Sequence, residues 1–207
     1  GFGGIDDILK GVFGGGRGGA QQFEFEASPF ATQTLDIAAA LSVTLEEAAK
    51  GAEKRVRLPT GKELKVRIPV GVTSGQQIRL KGQGQEVPGH RPGDALITVT
   101  IAPHRFFRVD GNDLRIDLPI TLDEAVLGAK VRVPTLDGAV ELSIPKNTSS
   151  GRTFRLKGKG IGKDKAATGD LLVTVRIALP DGADAELEAL MERWRAAKHY
   201  HPRHDME

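Results

Sequence analysis

Leu41-Ser-Val-Thr-Leu-Glu-Glu-Ala-Ala-Lys-Gly51 returns as Leu118-Pro-Ile-Thr-Leu-Asp-Glu-Ala-Val-Leu-Gly128. In both copies a threonine stands three residues ahead of a glutamate, at Thr44 and Glu47 and again at Thr121 and Glu124. That spacing is a capping box, in which two side chains satisfy the free backbone donors at a helix start. It predicts a helix of about two turns, ended by Gly51 or Gly128 in the left-handed conformation. Before the first copy, Leu35, Ile37, Ala39, Leu41 and Val43 alternate with other residues, the period of a strand with one buried face. After it, residues 53–58 and 63–69 read as period-two strands joined by Pro59-Thr-Gly61. The second copy makes its turn at Leu136-Asp-Gly138.

The correspondence continues to the end of each copy. Pro69 and Pro145 cannot donate to a ladder and mark strand ends. Ser74-Gly75 with Leu80-Lys-Gly82 matches Ser150-Gly151 with Leu156-Lys-Gly158, and Gly93-Asp94 matches Gly169-Asp170. Residues 95–101 and 171–177 are continuous apolar strands fit for a core, and Asp110-Gly-Asn-Asp113 is expected to turn the chain from the first domain into the second. The fold class is therefore mainly β: two tandem small β-sandwich domains, each with a short capped helix, followed by a C-terminal helix. The expected divisions are a Gly/Phe-rich flexible linker at 1–33, a first domain at 34–109, a second at 110–182, and a helix and tail at 183–207. Within the linker, residues 5–13 carry apolar side chains at helical spacing, suited to transient docking; plain disorder is the alternative. In the last segment Leu187, Leu190, Met191 and Trp194 share one helical face that needs a partner.

Composition narrows the function. The 207 residues hold no cysteine, which excludes disulfides and cysteine zinc sites and makes the cytoplasm the default compartment. A balance of 29 basic and 27 acidic residues does not demand an anionic partner. No apolar run reaches the roughly 20 residues of a membrane helix. Starting at Gly1 without methionine, the chain reads as a segment of something longer.

No catalytic constellation is visible, so the chain is expected not to be an enzyme. The Lys-Gly-x-Gly turns begin no helix after a strand and lack Gly-Lys-Ser/Thr, so they read as turns rather than phosphate cradles. Asp94 and Asp170 recur by duplication and read as structural. Ser149 and Ser150 have no nucleophile context. His199, His201 and His204 lack a scaffold for a metal. No cofactor is expected. Lys54, Arg55, Arg57, Lys62, Lys65 and Arg67, and later Arg152, Arg155, Lys157, Lys159, Lys163 and Lys165, read as solvated faces or as contacts to an acidic peptide or DNA phosphates.

The pattern resembles the carboxy-terminal half of the DnaJ family of J-domain co-chaperones, more closely its zinc-free class, which includes bacterial curved-DNA-binding homologues. The residues that carry the resemblance are the Gly/Phe linker, Leu-x-Val-Thr-Leu-Glu-Glu-Ala-x-x-Gly, the run from Ile-Pro-x-Gly-Val to Leu-Lys-Gly-x-Gly at 68–84, Gly93-Asp94, and His104 with Phe107. Where zinc-binding relatives carry a cysteine-rich insertion, this chain has the Pro59-Thr-Gly61 turn. The resemblance implies a V-shaped homodimer joined at the C-terminal end, through Leu187, Leu190, Met191 and Trp194. It also implies a shallow groove on the first domain for unfolded polypeptide clients, lined by Ala39, Leu41, Lys54, Val56, Leu58 and Phe107. Ala39 and Val56 are smaller than the residues often found there, which predicts room for a bulkier client side chain or weaker binding. Clients would pass to a DnaK-type heat-shock chaperone. No J domain is expected in this chain, and His201-Pro202-Arg203, which lacks the aspartate of the family's signature turn, is not read as that motif. DNA binding through the basic faces is the rival reading.

Overall fold

The computed structural model describes residues 35–206. The expected linker at 1–33, with its segment 5–13, lies outside the described residues. The first unit runs β1 (Ile37–Val43), α1 (Leu45–Lys50), β2 (Ala52–Arg57), β3 (Glu63–Ile68), β4 (Gln77–Leu80) and β5 (Ala95–Ile101). The second runs β6 (Phe107–Asp110), β7 (Asp113–Ile120), α2 (Leu122–Leu127), β8 (Ala129–Val133), β9 (Val140–Ile144), β10 (Thr153–Leu156) and β11 (Leu171–Ile177), with α3 (Ala185–Ala197) beyond.

Both capping boxes form. Thr44 N–H donates to Glu47 Oε2 at 2.8 Å while Glu47 N–H donates to Thr44 Oγ1 at 3.2 Å. The second copy repeats this at 2.8 and 3.3 Å between Thr121 and Glu124. Gly51 and Gly128 end the helices at positive φ, 76° and 78°, but with ψ of 154° and 153° rather than the left-handed helical value expected. The chain leaves each helix directly into an extended strand, and a Cβ there would stand 3.1 Å from the Ile68 carbonyl or 2.9 Å from that of Ile144.

In the first domain a sheet of order β1-β5-β4 faces the β2-β3 hairpin. Leu41, Val43, Val56, Leu58, Val66, Ile68, Ile97 and Val99 fill the core. In the second a sheet of order β10-β11-β7-β6 goes with the β8-β9 hairpin over a core that includes Leu114, Ile116, Ile120, Leu171, Val173 and Val175. The architecture is mainly β, two small sandwiches in tandem, and β1 and β7 both pair in parallel with the strand that follows the hairpins. One expectation changes. Asp110-Gly-Asn-Asp113 is not a passage between domains but the tight turn of an antiparallel hairpin, with Asp110 opposite Asp113 and Phe107 opposite Ile116. Phe107–Asp110 is thus a strand of the second sheet, and the boundary expected at 109 and 110 falls inside it.

The Gly-Asp pairs are structural. A Cβ on Gly93 would come within 2.1 Å of the Leu35 carbonyl, and one on Gly169 within 2.1 Å of the Asn112 carbonyl oxygen, so the strands cross in space that only glycine leaves open. Next to them Asp94 accepts from Gly82 N–H and Asp170 from Gly158 N–H, each at 2.8 Å, and each carboxylate also pairs with an arginine, Arg79 or Arg155. The N–H of Asp94 in turn donates to Asp36 Oδ1 at 2.6 Å, and that of Asp170 to Asp113 Oδ1 at 2.7 Å.

Candidate functional site

β1 pairs with β5 on one side only, and among the described residues no strand lies on the other. Ile37 N–H donates to the Asp94 carbonyl at 2.9 Å and the Val43 carbonyl accepts from Ala102 at 2.8 Å, so the odd-numbered residues direct their backbone towards β5. Because main-chain groups alternate along a strand, those of Ala38, Ala40 and Ser42 face the open margin. β2 has a similar margin. Leu58 N–H donates to the Lys62 carbonyl within the hairpin at 2.9 Å, which turns Glu53, Arg55 and Arg57 outward.

One side chain spans from β2 to β1. Lys54 Nζ donates to the Ser42 carbonyl at 2.9 Å and to Glu47 Oε2 at 3.1 Å. The same Glu47 oxygen accepts from Thr44 N–H, which first of all, with Lys54 second, holds its carboxyl below the usual glutamate range. The helix cap and the cross-strand ammonium thus share one acceptor. The second copy has Val131 at the place of Lys54, so this bridge belongs to the first domain alone.

Of the residues expected to line a groove, Ala39 and Lys54 are partly buried, while Leu41, Val56 and Leu58 retain 7, 6 and 2% of their exposure. Ala39 packs against one core with Leu41, Val56 and Leu58, but those three form its interior rather than an open trough, and Lys54 lies outside the cluster. On the core-facing side of β1 the apolar surface that stays partly accessible is at Ile37 and Ala39, while Ala38 and Ala40 are exposed on the other face. Phe107 does not join them. It is 5% exposed within the second core, because its strand pairs with β7 and its side chain follows that of Ile116 inward. Just before it, His104 Nδ1 accepts from the N–H groups of Phe106 and Phe107 at 3.0 and 3.2 Å. The ring proton therefore sits on Nε2, which donates to Glu46 Oε1 at 3.0 Å, so the strap between the domains is pinned to α1. An unpaired sheet margin in the first sandwich, open to strand addition, was expected from the sequence though not assigned to β1; the Lys54–Glu47 link and the His104–Glu46 pair were not foreseen.

The C-terminal helix has a clear N-cap: Asp184 Oδ1 accepts from Glu186 and Leu187 N–H at 3.0 and 2.9 Å. None of its residues is buried, and Leu190, Met191 and Trp194 are 47, 41 and 52% exposed on the face shared with the partly buried Leu187. The basic residues are divided. Lys54, Lys62, Lys65 and Arg155 engage Glu47, Glu86, Glu53 and Asp170, whereas Arg55 and Arg57 have no ion pair among the described residues. Among those residues no helix is long and apolar enough to cross a membrane.

The model of the DnaJ C terminal domain matches residues 37–180. A "Chaperone protein DnaJ 2" of Cutibacterium acnes is 45% identical over 141 residues, 67% of this chain and 37% of that protein. A "Chaperone protein DnaJ 2" of Thermus thermophilus is 44% identical over 158 residues, 76% of this chain and 55% of its own length. A "Curved DNA-binding protein" of Coxiella burnetii is 34% identical over 217 residues, covering 98% of this chain and 68% of that protein. The chain thus spans only 37% of the Cutibacterium protein and 55% of the Thermus protein.

Proposed function

The chain belongs to the DnaJ C-terminal domain family, and from that premise we propose that it is the client-binding part of a co-chaperone, taking extended non-native polypeptide along the open margin of β1. The observation that carries this reading is the open row of main-chain groups at Ala38 and Ala40, short of the Ser42 carbonyl that Lys54 holds, beside partly exposed Ile37 and Ala39. A strand laid there gains backbone hydrogen bonds that do not depend on its sequence, and every second side chain turns towards the apolar edge. Burying one leucine or phenylalanine contributes about 1.5 to 3 kcal/mol before ordering costs. A single margin therefore holds a client at micromolar strength or weaker, which suits release to a DnaK-type chaperone. Pairing of two chains through Leu187, Leu190, Met191 and Trp194 makes a second contact with a long client intramolecular and raises its overall strength.

The experiment is retention of a permanently unfolded, labelled protein by the full chain at low and moderate salt, with labelled duplex DNA in parallel. Capture of the unfolded protein survives the salt, because apolar burial and main-chain bonding carry it. Any binding to DNA falls steeply, in keeping with counterion release. Failure to retain unfolded protein, or salt-sensitive binding confined to DNA, rejects the co-chaperone reading in favour of the nucleic-acid one. The ion pairs that occupy Lys54, Lys62, Lys65 and Arg155 weigh against a continuous basic track.

A further inference from the structure

Where the first domain meets the second, two backbones come into direct contact. A Cβ on Gly71 would stand 2.8 Å from the Gly162 carbonyl carbon and 2.9 Å from Lys163 N, so only glycine fits there. Gly162 and Lys163 belong to the loop between β10 and β11, and this contact, with Leu45 in the second core, holds the two sandwiches against each other at that corner. Beside it lies a cleft of about 470 Å³, with Ala49 and Lys50 from the end of α1 on one side and Leu136, Asp137, Lys159 and Lys165 on the other.

Three ammonium groups thus converge from two domains, Lys159 partly buried and Lys50 and Lys165 exposed at the mouth. Among the described residues the lysines with an ion pair are Lys54, Lys62, Lys65 and Lys130, and none of the three is among them. The carboxylate of the cleft, Asp137, sits exposed on its hairpin turn, so three positive charges face a single negative one. Like charges crowded into a concave space repel one another and focus their field on an incoming anion. The duplication makes the arrangement specific to this corner. Lys50, Lys159 and Lys165 stand where the other copy has Leu127, Gln83 and Gly89, so each cation occurs in the copy that lines the cleft and is missing from its counterpart.

We infer that this cleft binds a small oligophosphate, free or as the tail of a nucleotide, with the amines of Lys50, Lys159 and Lys165 on its oxygens. A lysine ammonium is a compact point charge that suits phosphate, without the planar fork by which arginine matches a carboxylate. Several negative charges on one small body answer three amines in a space within the range of small-molecule pockets, about 300 to 1,000 Å³. The apolar lining is confined to Ala49 and Leu136, which leaves a peptide side chain little to bury against. The Lys-Gly-x-Gly segment remains a turn, as its motif implies; the lysine that α1 of the other domain adds to it is what no local motif shows. A ligand held by Lys50 from one sandwich and by Lys159 and Lys165 from the other braces their junction, independently of any client on β1.

The test is calorimetric titration of the full chain, at low salt and without divalent cations, with inorganic triphosphate, ATP and orthophosphate, and amide shifts of the isotopically labelled chain in parallel. Triphosphate saturates at one equivalent per chain and shifts amides on both sides of the cleft, at Ala49 and Lys50 as well as at residues 158–165. Equal binding of ATP upholds the site with a nucleotide as the source, and binding of triphosphate alone upholds it with a free oligophosphate. Lys159→Gln installs the residue of the other copy, so the fold and its melting stay as in the parent while triphosphate affinity falls about tenfold. Asp137→Asn raises the affinity, and Arg132→Gln, which removes an exposed cation outside the cleft, leaves it nearly unchanged. Orthophosphate bound as tightly as triphosphate, equal losses from Lys159→Gln and Arg132→Gln, shifts confined to one domain, or no saturation at millimolar triphosphate overturns the inference. So does a chain that binds an acidic peptide or duplex DNA through these lysines and takes no triphosphate.

Discussion

Asp94 and Asp170 illustrate how a carboxylate can be indispensable without doing chemistry. The Gly82 N–H, and next the Arg79 guanidinium, hold the Asp94 carboxyl below the ordinary aspartate range, and Gly158 N–H followed by Arg155 does the same for Asp170. A depressed folded value means that the stabilisation is complete above the unfolded pKa of about 3.9 and disappears as pH falls through the lower folded value. Asp94→Asn is accordingly less stable than the parent in urea titrations at neutral pH, and the gap narrows steadily as the titrations are repeated from pH 5 towards pH 2. A gap independent of pH means that the carboxylate's charge is not what matters. At this scale the sequence was informative where side chains alternate. Ala39, Leu41, Val56 and Leu58 meet around one core because period two dictates it. Phe107 escaped because its direction depends on which strand it pairs with, and nothing local distinguishes a domain-closing loop from the first strand of a hairpin.

Among the elements, the two short helices and the strands around them were legible from capping boxes, prolines and turns, since these act within a few residues. Strand order was not, because the partner of β6 is decided by its hairpin turn and by the open flank of β7 rather than by its own four residues. The C-terminal helix was legible too, down to its apolar face, whose exposure leaves Leu190, Met191 and Trp194 in water. Three such side chains on one exposed face support the pairing of two chains proposed above. Light scattering on the full chain and on a version lacking residues 183–207 checks this: the mass falls by about half on truncation, and equal subunit counts for both forms defeat the pairing.

For the whole molecule, duplication has an end effect. Leu45 begins α1 in the first domain yet is 1% exposed and belongs to the second domain's core, whereas its duplicate Leu122 stays partly exposed among the described residues. Leu45→Ala therefore costs about 2 to 5 kcal/mol, within the range for large core truncations, and calorimetry then resolves two transitions where the parent has one. Leu122→Ala costs clearly less and leaves the single transition intact. Equal losses from the two truncations reject a joint core.

The hairpin that seals β7 has a further arithmetic consequence. Among the described residues only one of the two homologous strands keeps an open margin, so on the proposed reading client capacity is set by the number of chains and not by the number of sandwiches. On that reading, calorimetric titration with a short apolar peptide saturates at one equivalent per polypeptide, and two equivalents reject it.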